Sequence, residues 1–399
     1  MSELPVVVLD NGTGYLKAGL SNETEPSVLI PSLIGRPLLR YGETLEGVEL
    51  KSLMLGDEVI PVRSMLELSY PITEGIITNP EDMGLLLDYA ITKKIGIPKG
   101  ELKERKALIT EAPLNPLNNK KIMAEILFDK MGFGYMNIEP QAKLTLMCEG
   151  LESGLVLDSG DGVTHCIPIY SGMLMHNNIK RLNIAGRHIT QKMIKLLQLK
   201  GYAFNSSSDF ELIKGIKEKY CFVSCDFERD IKLNMETTFY NQNILLPDGR
   251  KIMISNERFE APEILFNPRL NGMESLGIPQ MVFNCIQECD ISTRLELFKY
   301  TILSGASTMY PGFASRFSKE MKALYKKNIL QDSGESIKID MNTMDNPRRK
   351  FSVFIGASLL SNIYNDNRYI DYWISKEEWD EQGADRLDVI RNKCKNIFQ

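Results

Sequence analysis

The 399-residue chain has only three histidines and two tryptophans, and several familiar catalytic signatures are missing from it. No Gly-x-x-x-x-Gly-Lys-Ser/Thr occurs, which excludes a P-loop, and no Gly-x-Gly-x-x-Gly occurs, which leaves dinucleotide binding unsupported. His-Glu-x-x-His and Gly-x-Ser-x-Gly are both absent, so neither a zincin protease nor a serine hydrolase of that type is expected. The seven cysteines are odd in number and lack disulfide-style spacing, which fits a reducing compartment. Cys221/Cys225 and Cys285/Cys289 admit two readings: metal-ligand pairs, or small core residues at i,i+4 within helices. The scarcity of histidine favours the second. No apolar run approaches the length that spans a bilayer, and Met1 to Pro5 carries no basic region. Neither membrane insertion nor a signal peptide is expected. A net charge of −5 shows no basic excess, so a nucleic-acid partner is not expected either.

What is present is a device used twice. Leu155-Val156-Leu157 reads as an apolar strand. It is followed by Asp158-Ser159-Gly160-Asp161-Gly162, a tight polar turn, and by Val163 to Pro168, a returning strand. The glycines allow positive φ and close backbone approach. Successive N–H groups in such a turn form a nest for phosphate oxygens. Asp158, at the strand end, is placed to hold a phosphate-bound metal. Near the start of the chain, Val6 to Leu9 and Asp10-Asn11-Gly12-Thr13-Gly14 repeat the order. One copy is usually just a hairpin. Two copies suggest a duplicated unit, with a nucleotide clamped between two like halves. Lys17, on the first return strand, either reaches back to the phosphates or is a solvated surface lysine.

Elsewhere the order is strand, helix, strand, helix, the α/β pattern. Asn79-Pro80 caps a helix to Lys94, Lys106 to Thr110 is a buried strand, and Leu117 to Met131 is a helix. Tyr135 to Ile138 is a strand and Gln141 to Glu149 a helix. Ala185-Gly186-Arg187 opens a helix to Leu199, and Asp209 to Phe222 is a helix with Ser208 as its cap. Leu245 to Ile254 is a hairpin about Pro247-Asp248-Gly249. Thr301 to Thr308 is a strand running into small residues, followed by a helix to Asn328. Phe351 to Ile355 is a strand, Gly356 to Asn362 a helix, and Asp385 to Cys394 a charged helix. Arg36 to Lys51 and Gln331 to Pro347 are polar excursions.

The two Asp/Gly turns resemble those of the actin/hexokinase/heat-shock-ATPase superfamily. Gly56-Asp57-Glu58, Tyr70-Pro71-Ile72, Thr110 to Pro116, Leu157 to His165, Ala185-Gly186-Arg187, Ile216 to Lys219, Asn256 to Phe259, Gly272 to Ser275 and Leu303 to Gly312 narrow the resemblance to the actin family, over essentially the whole chain. Gly201 to Asn205 with Asp209 to Glu211, Glu257 to Glu263, Leu53 to Glu58 with Arg63 to Glu67, and the insertion before Asn346 to Lys350 are more similar to an actin-related subunit of the branched-actin nucleation complex than to conventional actin.

The resemblance implies an actin-like α/β ATPase fold: two similar α/β domains, with duplicated mixed sheets and flanking helices, around a nucleotide cleft. It implies four subdomains, at 1–31, 75–148 and 352–399; 32–74; 149–184 and 274–351; and 185–273. ATP with Mg²⁺ (or Ca²⁺) is the implied ligand, the metal held through water by Asp10 and Asp158. Asn11, Gly12, Thr13, Gly14, Lys17, Asp158, Gly160, Asp161 and Gly162 would receive the phosphates. Gly186, Lys214, Lys217, Glu218, Gly305, Ala306, Met309, Tyr310 and Lys350 would line the nucleoside pocket, and Gln141 and His165 would position the attacking water. Implied partners are actin-related protein three and the other subunits of the complex, actin filaments and monomers, and Wiskott–Aldrich family nucleation-promoting factors. The implied setting is the cytoplasmic actin cytoskeleton and cell projections. A divergent self-polymerising actin, a small-molecule kinase of the superfamily and a nuclear actin-related protein are the alternatives.

Three departures from the family bear on function. Pro140 stands before Gln141 where the family has Ile, and is expected to shift Gln141 and slow hydrolysis. Ala306 stands for a family glycine, which is costly only if φ is positive there. Arg36 to Lys51 lacks the apolar-tipped motif that conventional actin inserts into its neighbour, so long filaments are not expected.

Overall fold

The computed structural model describes residues 4–38, 51–331 and 339–383. The chain divides into two compact units: Met1–Val156, Ile167–Asn177 and Arg348–Gln399 form one, and Leu157–Cys166 and Asn178–Pro347 the other.

The apolar run Val6 to Leu9 is continuous because its strand is covered on both faces. Alternation sends Val7 and Leu9 into one core and Val6 and Val8 into another. The strand Val7–Asn11 lies inside a six-stranded sheet ordered Ile374–Ser375, Tyr135–Pro140, Lys106–Glu111, Val7–Asn11, Tyr15–Leu20, Val28–Pro31. It runs parallel to Lys106–Glu111 and antiparallel to Tyr15–Leu20. The Val7/Leu9 core takes Met83, Leu86 and Leu87 from helix Pro80–Asp88, and Met123, Leu127 and Phe128 from the helical stretch Leu117–Met131. The Val6/Val8 core takes Leu144 from helix Gln141–Cys148, and Phe354, Ala357 and Leu360 from helix Ser352–Tyr364. A third, small core of Leu33, Met54, Val59, Val62 and Leu66 lies under a three-stranded sheet of Met54–Leu55, Ile34–Pro37 and Leu66–Ser69. Arg36 ties that sheet to helix Pro80–Asp88 with a two-pronged bond to Asp82, at 2.6 and 3.2 Å.

The second large sheet is ordered Met173–Leu174, Thr164–Tyr170, Gly154–Ser159, Tyr300–Ser304, Asn342–Met344. The division between units falls within its two long strands, at Leu157 and Cys166. Apart from Ile374–Ser375 in the first sheet and Lys180–Leu182, which pairs with Thr164–Tyr170 in the second, the strand order is that of the first sheet again. Gly154–Ser159 takes the place of Val7–Asn11, with the hairpin partner on one side and a strand from later in the chain on the other. The duplication read from two short loops therefore extends to whole sheets, as the actin-like fold requires.

Several local expectations change. Phe351 to Ile355 is not a strand: one helix spans Ser352–Tyr364. Ser206, not Ser208, caps helix Ser207–Tyr220, accepting from Asp209 N at 3.1 Å. Cys221 follows that helix and Cys225 is exposed, so they are not an i,i+4 pair within it. The excursion 331–347 contributes the strand Asn342–Met344, parallel to Tyr300–Ser304. Most of the excursion 36–51, part of 331–347 and the helix expected over 385–394 lie outside the described residues. Among those described, no helix is long and apolar enough to cross a membrane.

Candidate functional site

Asp10 closes the strand Val7–Asn11, and register sets Lys17 opposite it across the hairpin. Lys17 Nζ donates to Asp10 Oδ2 at 2.7 Å. The other carboxylate oxygen accepts from Thr110 Oγ1 at 2.8 Å and from Gln141 Nε2 at 3.2 Å. Gln141 Nε2 also reaches Thr110 Oγ1, at 3.3 Å. The three groups meet because Val7–Asn11, Lys106–Glu111 and Tyr135–Pro140 are neighbours that end together, with helix Gln141–Cys148 starting at the last of them. Asp10 is 1% exposed, so this carboxylate is held by three donors and has no freedom to swing.

The turn after Asp10 is pinned from outside. Ser32 Oγ donates to Gly12 O at 2.7 Å, and Ser32 N to Gly14 O at 3.1 Å. Thr13 Oγ1 accepts from Gly75 N at 3.1 Å, which leaves its own proton to donate. The side-chain nitrogen and oxygen of Asn11 are buried without a hydrogen-bond partner. A buried primary amide costs on the order of 1–3 kcal/mol when unpaired, so both of its polar atoms are available to a partner.

The second loop is pinned more heavily. Gly160 O accepts from Gly186 N at 3.0 Å and from Ser307 Oγ at 2.6 Å, and Asp161 O accepts from Arg187 N at 2.8 Å. The first N–H groups of helix Gly186–Leu199 thus anchor the loop instead of facing solvent. Lys217 Nζ donates to Gly186 O at 2.9 Å, and Arg187 Nε to Asp161 Oδ2 at 3.3 Å. Burial pushes the Lys217 ammonium below the usual lysine value, against the pull of Asp161 and Glu218. The loop glycines are not required by a left-handed backbone, although a Cβ on Gly12 would lie 2.5 Å from Tyr15 O. Gly12, Gly14, Gly160 and Gly162 are all outside the positive-φ set, and a Cβ on Gly160 would enter open space. Gly305 does need its φ of 85°, and a Cβ there would lie 2.2 Å from Ser159 O. Ala306 has no positive φ, so the family glycine is replaced without backbone strain.

Tyr310 is buried, which raises its hydroxyl pKa well above the usual value. Met309 is half-buried, and Glu218 and Ala306 are exposed. Lys214 is buried beside Glu211 at 3.5 Å. Lys350 belongs to the first unit, exposed, with its ammonium 4.6 Å from the Phe351 ring centroid. His165 is 2% exposed and its Nε2 has no hydrogen-bond partner. Burial, then the charge of Arg181, pushes its pKa down to about 4, so the imidazole is neutral at neutral pH. The proline before Gln141 does not take it away from Asp10. Pro140 sits at φ −65° as the residue before the helix, and the amide still reaches the aspartate.

Within the first unit the Asn11 amide, and within the second the His165 Nε2, are buried polar groups without a hydrogen-bond partner, and a Cβ on Gly160 would meet nothing within 4 Å. Among the described residues no three His, Cys, Asp or Glu side chains form a metal-binding group. Thr110 and Ser307 are the site residues that sequence reasoning missed. Thr110 ends the strand beside Asp10, and Ser307 lies in a small-residue turn already noted; strand register would have found the first.

A family model described as Actin matches residues 1–395. Actin-related protein 2 of Acanthamoeba castellanii is 45% identical over 379 residues, covering 95% of this chain and 96% of its own. Actin-related protein 2 of Caenorhabditis briggsae is 44% identical, covering 96% of each. That of Saccharomyces cerevisiae is 45% identical, covering 96% of this chain and 97% of its own. The chain belongs to the actin family and is a homologue of actin-related protein 2 over nearly its whole length.

Proposed function

We propose that this chain is an ATP-binding, actin-related subunit of the seven-subunit branched-actin nucleation complex. There it pairs with actin-related protein three to mimic a filament end from which a daughter branch grows. The observation that carries the reading is full-length likeness to actin-related protein 2 in a chain that keeps both phosphate-type loops pinned and fitted. Asp10 and Asp158 would hold Mg²⁺ through water; the metal would offset phosphate charge. Thr13 and the loop N–H groups would receive the phosphates, with Lys17 adding positive charge beside Asp10. Actin filaments and monomers, the other complex subunits and Wiskott–Aldrich family factors are the proposed partners, in the cytoplasmic actin cytoskeleton and cell projections.

ATP here is chiefly a conformational ligand, since a nucleotide shifts an equilibrium by its differential affinity for two states. Neither proposed catalytic group is a strong base, so the proton of the attacking water is left to a phosphate oxygen. Gln141 is a neutral amide, and an imidazole with a pKa near 4 accepts a proton poorly at neutral pH. A fluorescent ATP analogue titrated with Mg²⁺ tests the site. Asp158→Ala is expected to weaken binding by tenfold or more, and an unchanged affinity contradicts the reading. High-speed sedimentation with ATP and Mg²⁺ tests the self-polymerising alternative, which requires the chain alone to pellet.

A further inference from the structure

The elbow that delivers Gln141 contains a buried ion pair that the two-loop reading leaves unused. Glu139 is 1% exposed and accepts a 2.9 Å bond from Lys143 Nζ; the lysine side chain is 8% exposed. Although four apart in sequence, the two do not share a helix. Glu139 belongs to strand Tyr135–Pro140, and Lys143 to the first turn of helix Gln141–Cys148. The pair bridges the elbow, with Gln141 between its ends.

Stability alone does not account for it. A buried ion pair is seldom better than apolar residues of the same volume. A lysine in a first helical turn also opposes the helix dipole. Pro140, just before the helix, offers no side-chain acceptor, so the ordinary capping bond is missing as well. What the pair does is geometric. Glu139 is in register with Thr110, the residue on which the Gln141 amide rests. One residue past Lys143, Leu144 O would lie only 1.9 Å from a Cβ on Gly356. The helix start is therefore held by the ion pair and by close backbone contact with helix Ser352–Tyr364.

We propose that Glu139 and Lys143 are positioning residues for Gln141. They fix the elbow so that the amide nitrogen is anchored on Asp10 and Thr110, and the amide oxygen is left to accept from the water that attacks the terminal phosphate of ATP. In that step the water oxygen bonds to phosphorus and the bond to the bridging oxygen breaks. Its electron pair leaves with ADP, and the water's proton passes to a phosphate oxygen. This rests on the nucleotide reading above.

The test uses the full chain with Mg²⁺ and ATP, measuring analogue binding and single-turnover phosphate release separately. Glu139→Gln/Lys143→Met removes both charges and keeps the volume. It is expected to bind ATP within about twofold of wild type and to release phosphate about tenfold more slowly, because small misplacements of a positioned group cost about that much or more. Lys143→Arg keeps the pair and is expected to stay near the wild-type rate. Glu139→Asp shortens one arm and is expected to slow release without weakening binding, which keeps the test valid if the double variant misfolds. Unchanged release in the double variant or in Glu139→Asp overturns the proposal. Equal loss of binding and rate also overturns it, as a merely structural effect. A wild-type chain that binds ATP but releases no phosphate overturns the positioning role alone. One that binds no ATP contradicts the nucleotide reading, and this proposal with it.

Discussion

Gly305 and Ala306 are adjacent and answer to different constraints. At Gly305 the φ of 85° and the Ser159 carbonyl 2.2 Å from a built Cβ leave no room for a side chain. Gly305→Ala is therefore expected to cost about 3 kcal/mol or more, in the range reserved for strain and overpacking. Ala306→Gly is expected to cost only about 0.5–1 kcal/mol, the entropy of a freer unfolded chain. Denaturant midpoints of the two variants check the contrast. His165 gives a second test at this scale. Its folded pKa, about 4, lies below the ordinary 6.5. The unfolded chain thus takes up a proton first as pH falls, and stability present above 6.5 is lost on the way down to 4. His165→Gln is expected to flatten the fall in unfolding free energy over that window; a slope equal to wild type contradicts it. The placing of Asp10 and Asp158 at strand ends was legible because strand, aspartate and glycine turn are contiguous. Thr110 was not, because its bond to Asp10 joins residues 100 apart through the register of two parallel strands.

At the scale of elements, helix Ser352–Tyr364 shows where the pattern misled. Val353, Phe354, Gly356, Ala357, Ser358, Leu360 and Ser361 are all buried, so the helix has little polar face to reveal its period. A short apolar run of that kind cannot be told from a buried strand by periodicity. Gly356 is what lets the helix approach helix Gln141–Cys148. Gly356→Ala puts a methyl group into Leu144 O and is expected to destabilise by about 3 kcal/mol or more, or to prevent soluble expression. Helix Glu257–Glu263 ends in a carboxylate whose burial outweighs its 3.1 Å partner Arg316, raising the Glu263 pKa to about 7. A raised pKa means the folded state holds its proton longer. The contribution is favourable below the ordinary 4.5 and is lost as pH rises through 7. Glu263→Gln is expected to remove that decline, read as unfolding free energies compared between pH 5 and pH 8. Helix Pro80–Asp88 was legible from its cap, with Asn79 accepting from Glu81 N and Asp82 N as expected. Helix Phe227–Glu236, though capped by Asp226, was not, for none of its residues is buried and its apolar residues Phe227, Ile231, Leu233 and Met235 are interleaved with charges.

For the whole molecule, two loops sufficed to suggest duplication, and two sheets with the same strand order bear it out. Duplication is legible because each loop is local. The sheet edges, such as Asn342–Met344 in a polar excursion, depend on distant pairing and were not. Membership of the actin family follows from likeness over nearly the entire chain. Assembly into the branching complex is the central claim, and affinity purification of the tagged full-length chain from its native source tests it most directly. Recovery in equal amounts with six partners, actin-related protein three among them, is expected. Recovery alone, in pelletable homopolymers, or with chromatin remodellers would contradict it.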